Sequence, residues 1–123
     1  YAGALLNLAE AHLMSGNVDM ACKYLSIVKV RAGLNPYSSG DIDSVMENIR
    51  EECARELFGE FQRKFDLVRW GVWYNQTYNY TDFATVRANI LHCHEYYPIP
   101  DEEVALSNNQ LDNNAYEAEL TTF

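Results

Sequence analysis

The chain lacks any run of about eighteen apolar residues across its 123 positions, so nothing in it is long enough to span a bilayer as a helix. Basic residues are also few. Nine Lys and Arg stand against eighteen Asp and Glu, giving a net charge of −9 and a pI near 4.6. Phosphate backbones call for a basic stripe, and these nine are scattered among acids, which excludes nucleic acid as a partner. Acidity suits a neutral ligand or a soluble surface. Cys22, Cys53 and Cys93 are odd in number and too far apart to form a zinc or redox motif. Cys22 and Cys53 fall at helical positions, as small hydrophobes do. There is no glycine-rich phosphate loop, no serine-centred elbow and no metalloprotease helix, so no catalytic residue, metal or cofactor is expected. The chain opens at Tyr1 without an initiator Met or a signal sequence, already in helical register. It is expected to be a piece of a longer protein, with the part upstream absent.

What is present centres on Glu51 to Gly71. Ile49, Cys53, Leu57, Phe61, Phe65 and Val68 advance by three or four, which predicts one buried stripe on a long helix. Glu52, Glu56 and Glu60 repeat every four residues. Stacked like charges cost a few tenths of a kcal/mol per contact, so cations must answer them. Arg55 and Arg63 each follow a glutamate by three, and Arg63, Asp66 and Arg69 continue at three-residue steps. Some of these ions are expected to dock against other helices, a role suited to the planar fork of arginine. Arg63 is expected to serve Glu60 and Asp66 together, on an edge set beside the core by Phe61 and Phe65.

Before this stretch, Leu5, Leu8, Ala9, His12 and Leu13 mark one face of a first helix that stops at Gly16-Asn17. Asn17 or Asp19 can cap the next, whose face is Ala21, Tyr24, Leu25, Val28 and Ala32, and Gly33 ends it. Residues 4–33 thus read as one tetratricopeptide-like hairpin. A lone unit of this kind should stack on further repeats. Residues 35–41 are a loop, and Asp41 or Asp43 caps a helix beginning with Ile42, Val45, Met46 and Ile49. Residues 42–72 hold the signature helices, which Gly59 can break or bend. Residues 73–82 read as an irregular loop and about 82–92 as a short helix. Tyr97-Pro98-Ile99-Pro100 must be extended. One short turn from Asp101 and a coil over 108–114 complete the loop, short helix and closing tail of 73–123.

Three groups could carry chemistry. His92-Cys93-His94-Glu95 would share a face on an extended segment and could hold a metal, but no further ligand is indicated, and a helix end with a satisfied histidine explains it. The ladder of Glu52, Glu56 and Glu60 supplies carboxylates, yet hydrolysis of a sugar needs two acids flanking an open cleft. These share an edge with arginines, which points to structural pairing. The aromatic group Trp70, Trp73, Tyr74, Tyr78, Tyr80 and Phe83 lies among Asn, Gln and Thr. Aromatic faces stack on sugar rings and the amides bond hydroxyls, so Trp73, Tyr74, Tyr78 and Tyr80 are candidate ligand contacts. Packing at a helix end is the competing explanation.

The wording of the central stretch also resembles the SusD/RagB family of bacterial outer-membrane nutrient-binding lipoproteins. Its elements are Glu52, Glu56-Leu57, Glu60, Arg63, Phe65-Asp66-Leu67 and Arg69-Trp70-Gly71. Leu8-Ala9-Glu10-Ala11 resembles the family's "LAEA" helix, and Val30-Arg31-Ala32-Gly33-Leu34 resembles its "vRxRAGL" turn. Tyr97-Pro98-Ile99-Pro100 with Glu103, Asn108 or Asn109, Leu111, Asn114 and Tyr116 resembles its terminal signature. Departures are local: Cys53 stands where Arg is usual, Phe61 where many members have Gly, and Asn113 where Gln is common. The resemblance implies an all-α fold, with a tetratricopeptide-like hairpin, a long signature helix and a coil-rich tail. It marks Arg31, Glu52, Glu56, Glu60, Arg63, Asp66, Arg69 and Trp70 as a structural signature. It further implies non-catalytic binding of a glycan or other nutrient at the outer membrane. The partners implied are an oligosaccharide or polysaccharide and a SusC-like TonB-dependent transporter, with a lipid anchor outside this segment. In that family the glycan platform is generally built by loops preceding this part. The rival is a free-standing helical-repeat adaptor for another protein, which has no need of the Arg-Trp-Gly and Tyr-Pro-Ile-Pro blocks.

Overall fold

A computed structural model describes residues 1–108 and 110–121, and Asn109 of the terminal signature lies outside them. Every regular element among the described residues is helical, and none is a strand. The chain divides into two compact units, Tyr1–Arg63 and Lys64–Phe123.

The first unit holds α1 (Ala2–Met14), α2 (Val18–Arg31) and α3 (Ile42–Glu56), each packed against the other two. Their inward faces are Leu6, Ala9 and Leu13, then Ala21, Cys22, Leu25 and Val28, then Val45, Ile49 and Cys53, all buried. Two face assignments need correction. Leu6, rather than Leu5 or Leu8, joins Leu13 as a fully buried leucine of α1, and Ala32 is exposed beyond the end of α2. The ends follow from side-chain chemistry. Asn17 accepts the Met20 amide at 3.3 Å to open α2, and Asp41 accepts the Ser44 amide at 2.7 Å to open α3. At the end of α2, the Leu34 amide returns to the Lys29 carbonyl and the Gly33 amide to Val30, with φ 78° at Gly33. This closure satisfies carbonyls that helix termination would orphan.

The long helix is two. α3 stops at Glu56, and a turn carrying Gly59 at φ 81° separates it from α4 (Arg63–Arg69). Phe61 and Phe65 therefore leave the predicted stripe: they are 91% and 67% exposed within this chain. Phe61 itself adopts φ 59°, the left-handed region that suits glycine.

The second unit continues through α4, α5 (Trp73–Tyr80), α6 (Ala84–Asn89), a 3-10 helix (His92–Glu95), α7 (Asp101–Leu106) and α8 (Asn114–Leu120). Leu67, Trp73 and Ile90 form its small core, with Val68, Trp70, Val72 and Tyr74 packed on them. The predicted loop at 73–82 is in fact mostly helix α5. The predicted helix at 82–92 shortens to α6. The coil predicted through Asn114 ends there, because α8 begins.

Two outcomes follow. Phe61→Gly should raise stability by up to about 1 kcal/mol, because left-handed backbone costs a non-glycine residue about 1–2 kcal/mol while glycine forfeits about 0.5–1 through its freer unfolded chain; denaturant unfolding checks the sign. Second, the Ser44 amide holds the Asp41 carboxyl below its ordinary value of 3.8. A lowered folded value means stability that is present above the unfolded pKa and fades as pH falls through the folded one. The difference between wild type and Asp41→Asn, followed by unfolding at a series of pH values, should be flat near neutrality and shrink below 3.8.

Candidate functional site

The charged signature is built between α2 and α3. Glu52 is 1% exposed, and its carboxylate lies 3.9 Å from the Lys29 ammonium and 3.3 Å from the Arg55 guanidinium. Arg55 also reaches Glu51 at 2.8 Å. That hydrogen bond is the main reason its pKa is raised, so it stays charged. One turn on, Glu56 pairs with Arg31 of α2. Two members of the glutamate ladder thus tie α3 to α2.

The third is not on the helix: Glu60 is exposed in the turn, its amide bonded to the Leu57 carbonyl at 3.1 Å. Arg63 is exposed and donates to the Arg50 carbonyl at 3.3 Å. Its edge does not lie beside the core, because Phe61 and Phe65 point away from it. Asp66 receives Arg69 at 2.9 Å, and the Arg69 guanidinium lies 4.7 Å from the centre of the Trp70 ring. Gly71 closes α4 in the same way as Gly33 closes α2, with the Val72 amide on the Leu67 carbonyl at 2.9 Å. The Arg-Trp-Gly block is therefore a helix end.

A second group is aromatic. Tyr74 and Tyr78 are four apart on α5 and stack at 5.9 Å, and Tyr74 stacks on His92 at 3.7 Å. Three near-parallel rings form a column with Tyr78 41% exposed. Trp73 is buried in the core of this unit, whereas Tyr80 and Phe83 stand in solvent. Arg87 anchors the end of α5 by donating to the Tyr78 carbonyl at 3.1 Å and the Thr81 carbonyl at 2.7 Å. Lys64 lies 4.1 Å from the Tyr97 ring centre and 5.4 Å from that of Trp73, and donates to the His94 carbonyl at 3.2 Å. Such a cation between rings is worth about 0.5–1 kcal/mol at exposed sites. Neither His92 as a ring of the column nor Lys64 stood out from the sequence. The four-residue spacing of Tyr74 and Tyr78 was the available signal for the column.

The His-Cys-His-Glu run forms the 3-10 helix. The His94 ring nitrogen Nδ1 accepts the Leu91 amide at 3.2 Å, and burial is the first cause that pushes the Cys93 thiol up. Among the described residues no group of three or more His, Cys, Asp or Glu is placed to hold a metal ion. A polar cavity of about 450 Å³ lies in the first unit beside Asn7, Arg31, Glu56 and Glu60.

The model of the SusD family matches residues 1–116. A SusD-like protein of Formosa agariphila is 29% identical over 90% of this chain, and the chain spans 23% of that curated relative's length. No solved structure matches the chain.

The contrast between Glu52 and Arg63 is measurable by denaturant unfolding of the full-length protein. Glu52→Ala removes a buried carboxylate facing two cations and should cost on the order of 3–5 kcal/mol. Arg63→Ala sits at an exposed edge and should cost no more than about 1 kcal/mol. Equal losses would contradict this placement.

Proposed function

The chain belongs to the SusD family, and on that membership we propose that the full-length protein binds a glycan or other nutrient at the surface of a bacterial cell and leaves it chemically unchanged. Delivery is to a SusC-like TonB-dependent transporter in the outer membrane. The observation that carries this reading is the family match over residues 1–116.

The chemistry of the chain supports it. Glu52 and Glu56 are engaged by Lys29, Arg55 and Arg31, so they serve as structural ions rather than as the free pair of acids that sugar hydrolysis needs. Arg31, Glu52, Glu56, Asp66, Arg69 and Trp70 hold helices and helix ends, with Glu60 and Arg63 at the turn between them. No helix among the described residues is long and apolar enough to cross a membrane, and attachment is through a lipid anchor elsewhere in the protein. Within this chain the contact to ligand is the α5 surface. Tyr78 is backed by Tyr74 and His92, so its ring is held at little entropic cost, and Tyr80 extends the surface. Trp73 supports them from the core.

Titration of the full-length protein with a panel of oligosaccharides, followed by chromatography of the products, tests the proposal. Binding without new reducing ends is expected, and new ends from hydrolase-free protein would overturn it. Tyr78→Ala should weaken the binding about 2- to 10-fold, the equivalent of a ring contact worth about 0.5–1.5 kcal/mol. Unchanged affinity would remove α5 from the contact surface, and a protein ligand in place of a glycan would favour the adaptor role.

A further inference from the structure

The ring column is shared between two elements. Tyr74 and Tyr78 belong to α5, whereas His92 opens the 3-10 helix and stacks on Tyr74 at 3.7 Å with 20° between the planes. Helix α6 separates the two elements along the chain, so their mutual placement is set by contacts in space. Part of it comes from the small core, where Trp73 at the start of α5 is buried with Leu67 and Ile90. Apolar contact of that kind is non-directional, and a stack of flat rings needs direction. Lys64, in the first turn of α4, supplies it. Its ammonium donates to the His94 carbonyl in the 3-10 helix at 3.2 Å. The same group lies over the Trp73 ring, 5.4 Å from its centre, and over the Tyr97 ring, 4.1 Å from its centre. An ammonium has three N–H donors, and one carbonyl and two ring faces surround this one. A single half-buried side chain thus touches the first residue of α5 and the middle of the 3-10 helix.

We propose that Lys64 is a positioning residue for the ring column: it aligns the start of α5 with the 3-10 helix, so that His92 meets Tyr74 face to face and Tyr78 is held ready for ligand. The last step rests on the reading of α5 as a ligand contact. Lys64 acts through the column and does not touch the ligand itself. Its attractions are directional, toward ring faces and a carbonyl lone pair, whereas the core contacts of Trp73 tolerate a change of angle. Removing the ammonium therefore leaves the core of the unit in place and loosens the alignment of the two elements. The aligned column then becomes a smaller fraction of the molecules, and the apparent affinity falls with that fraction. Loss of one cation–ring contact shifts such a balance about 2- to 5-fold.

Two readouts on the full-length protein test this. The first needs no ligand. With histidine ring carbons labelled, the His92 ring resonance, identified by its loss in His92→Gln, reports the tyrosine ring stacked on it. Lys64→Met removes the ammonium and keeps an unbranched side chain of similar length. In that variant the His92 resonance should move toward the position of an unstacked histidine, and an unmoved resonance would overturn the proposal. The second readout is a double-mutant cycle on affinity, using the tightest binder from a panel of linear gluco-, manno-, xylo- and galacto-oligosaccharides. Lys64→Met should weaken binding about 2- to 5-fold in the wild type and little further in Tyr78→Ala, where the ring it places is gone. Equal losses in both backgrounds would overturn the proposal, as would no loss where Tyr78→Ala shows one. If Tyr78→Ala leaves affinity unchanged, or no member of the panel binds, the reading of α5 as a ligand contact fails instead, and the His92 resonance still decides whether Lys64 aligns the column. Lys64→Gln repeats both readouts should Lys64→Met not fold.

Discussion

A carboxylate with 1% exposure between two helices is the constraint on which the three-helix unit depends. Glu52 sits in the same inward row of α3 as Val45, Ile49 and Cys53, where an unpaired charge would cost several kcal/mol. It can lie there only because Lys29 comes from α2 and Arg55 from the next turn of its own helix. The requirement works in both directions. Lys29 must be at the height of Glu52, and that fixes how α2 is placed along α3. Apolar surfaces are non-directional and would tolerate a slide of one helix past the other; a buried carboxylate does not. Arg31 and Glu56 repeat the constraint one turn further on, in more solvent.

The registers so fixed leave the helix ends to be settled by local chemistry. Asn17 and Asp41 begin helices by accepting amides that have no partner within the helix. Gly33 and Gly71 finish them in the left-handed conformation. The signature turn is the exception, because Phe61 occupies that conformation with a bulky side chain. It stands where the resemblance to the SusD/RagB pattern places glycine in many members. The departure in sequence and the departure in backbone geometry fall on the same residue, which ties the strain to one substitution.

Much of this was legible. The stop at Gly33 and the extended Tyr-Pro-Ile-Pro segment follow from residue types whose local preferences are strong, the caps narrowed to Asn17 or Asp19 and Asp41 or Asp43 before the structure selected the first of each, and the all-helical class came with the family resemblance. What misled was apolar spacing. Leu5, Leu6 and Leu8 lie so close together that a period of 3.6 cannot tell which one faces inward, and only packing against α2 and α3 selects Leu6. Phe61 and Phe65 continue the spacing of Ile49 and Cys53 across a turn, so periodicity extended a stripe that Gly59 had already ended. Helix α5 escaped because aromatic, amide and hydroxyl side chains are mixed on both its inward and its outward faces, a composition shared with loops. Helix α8 escaped because none of its residues is fully buried, and burial is what a hydrophobic stripe reports.

The same distinction separates the ways in which the two units hold their elements. In the first, ten apolar side chains fill the space between three helices, and the ions set register within a core that already coheres. In the second, the buried core is Leu67, Trp73 and Ile90, and order is carried by contacts that terminate on backbone. Lys64 holds the His94 carbonyl, Arg87 the carbonyls at the end of α5, Asn113 both groups of Ile99, and Glu119 two amides of the 3-10 helix. Each is specific about geometry and modest in net free energy, since water competes for every partner. An arrangement of that kind defines where short segments sit without making them rigid. It suits the ligand-contact role proposed for Tyr78 and Tyr80, where the backbone must be placed and must also be able to adjust.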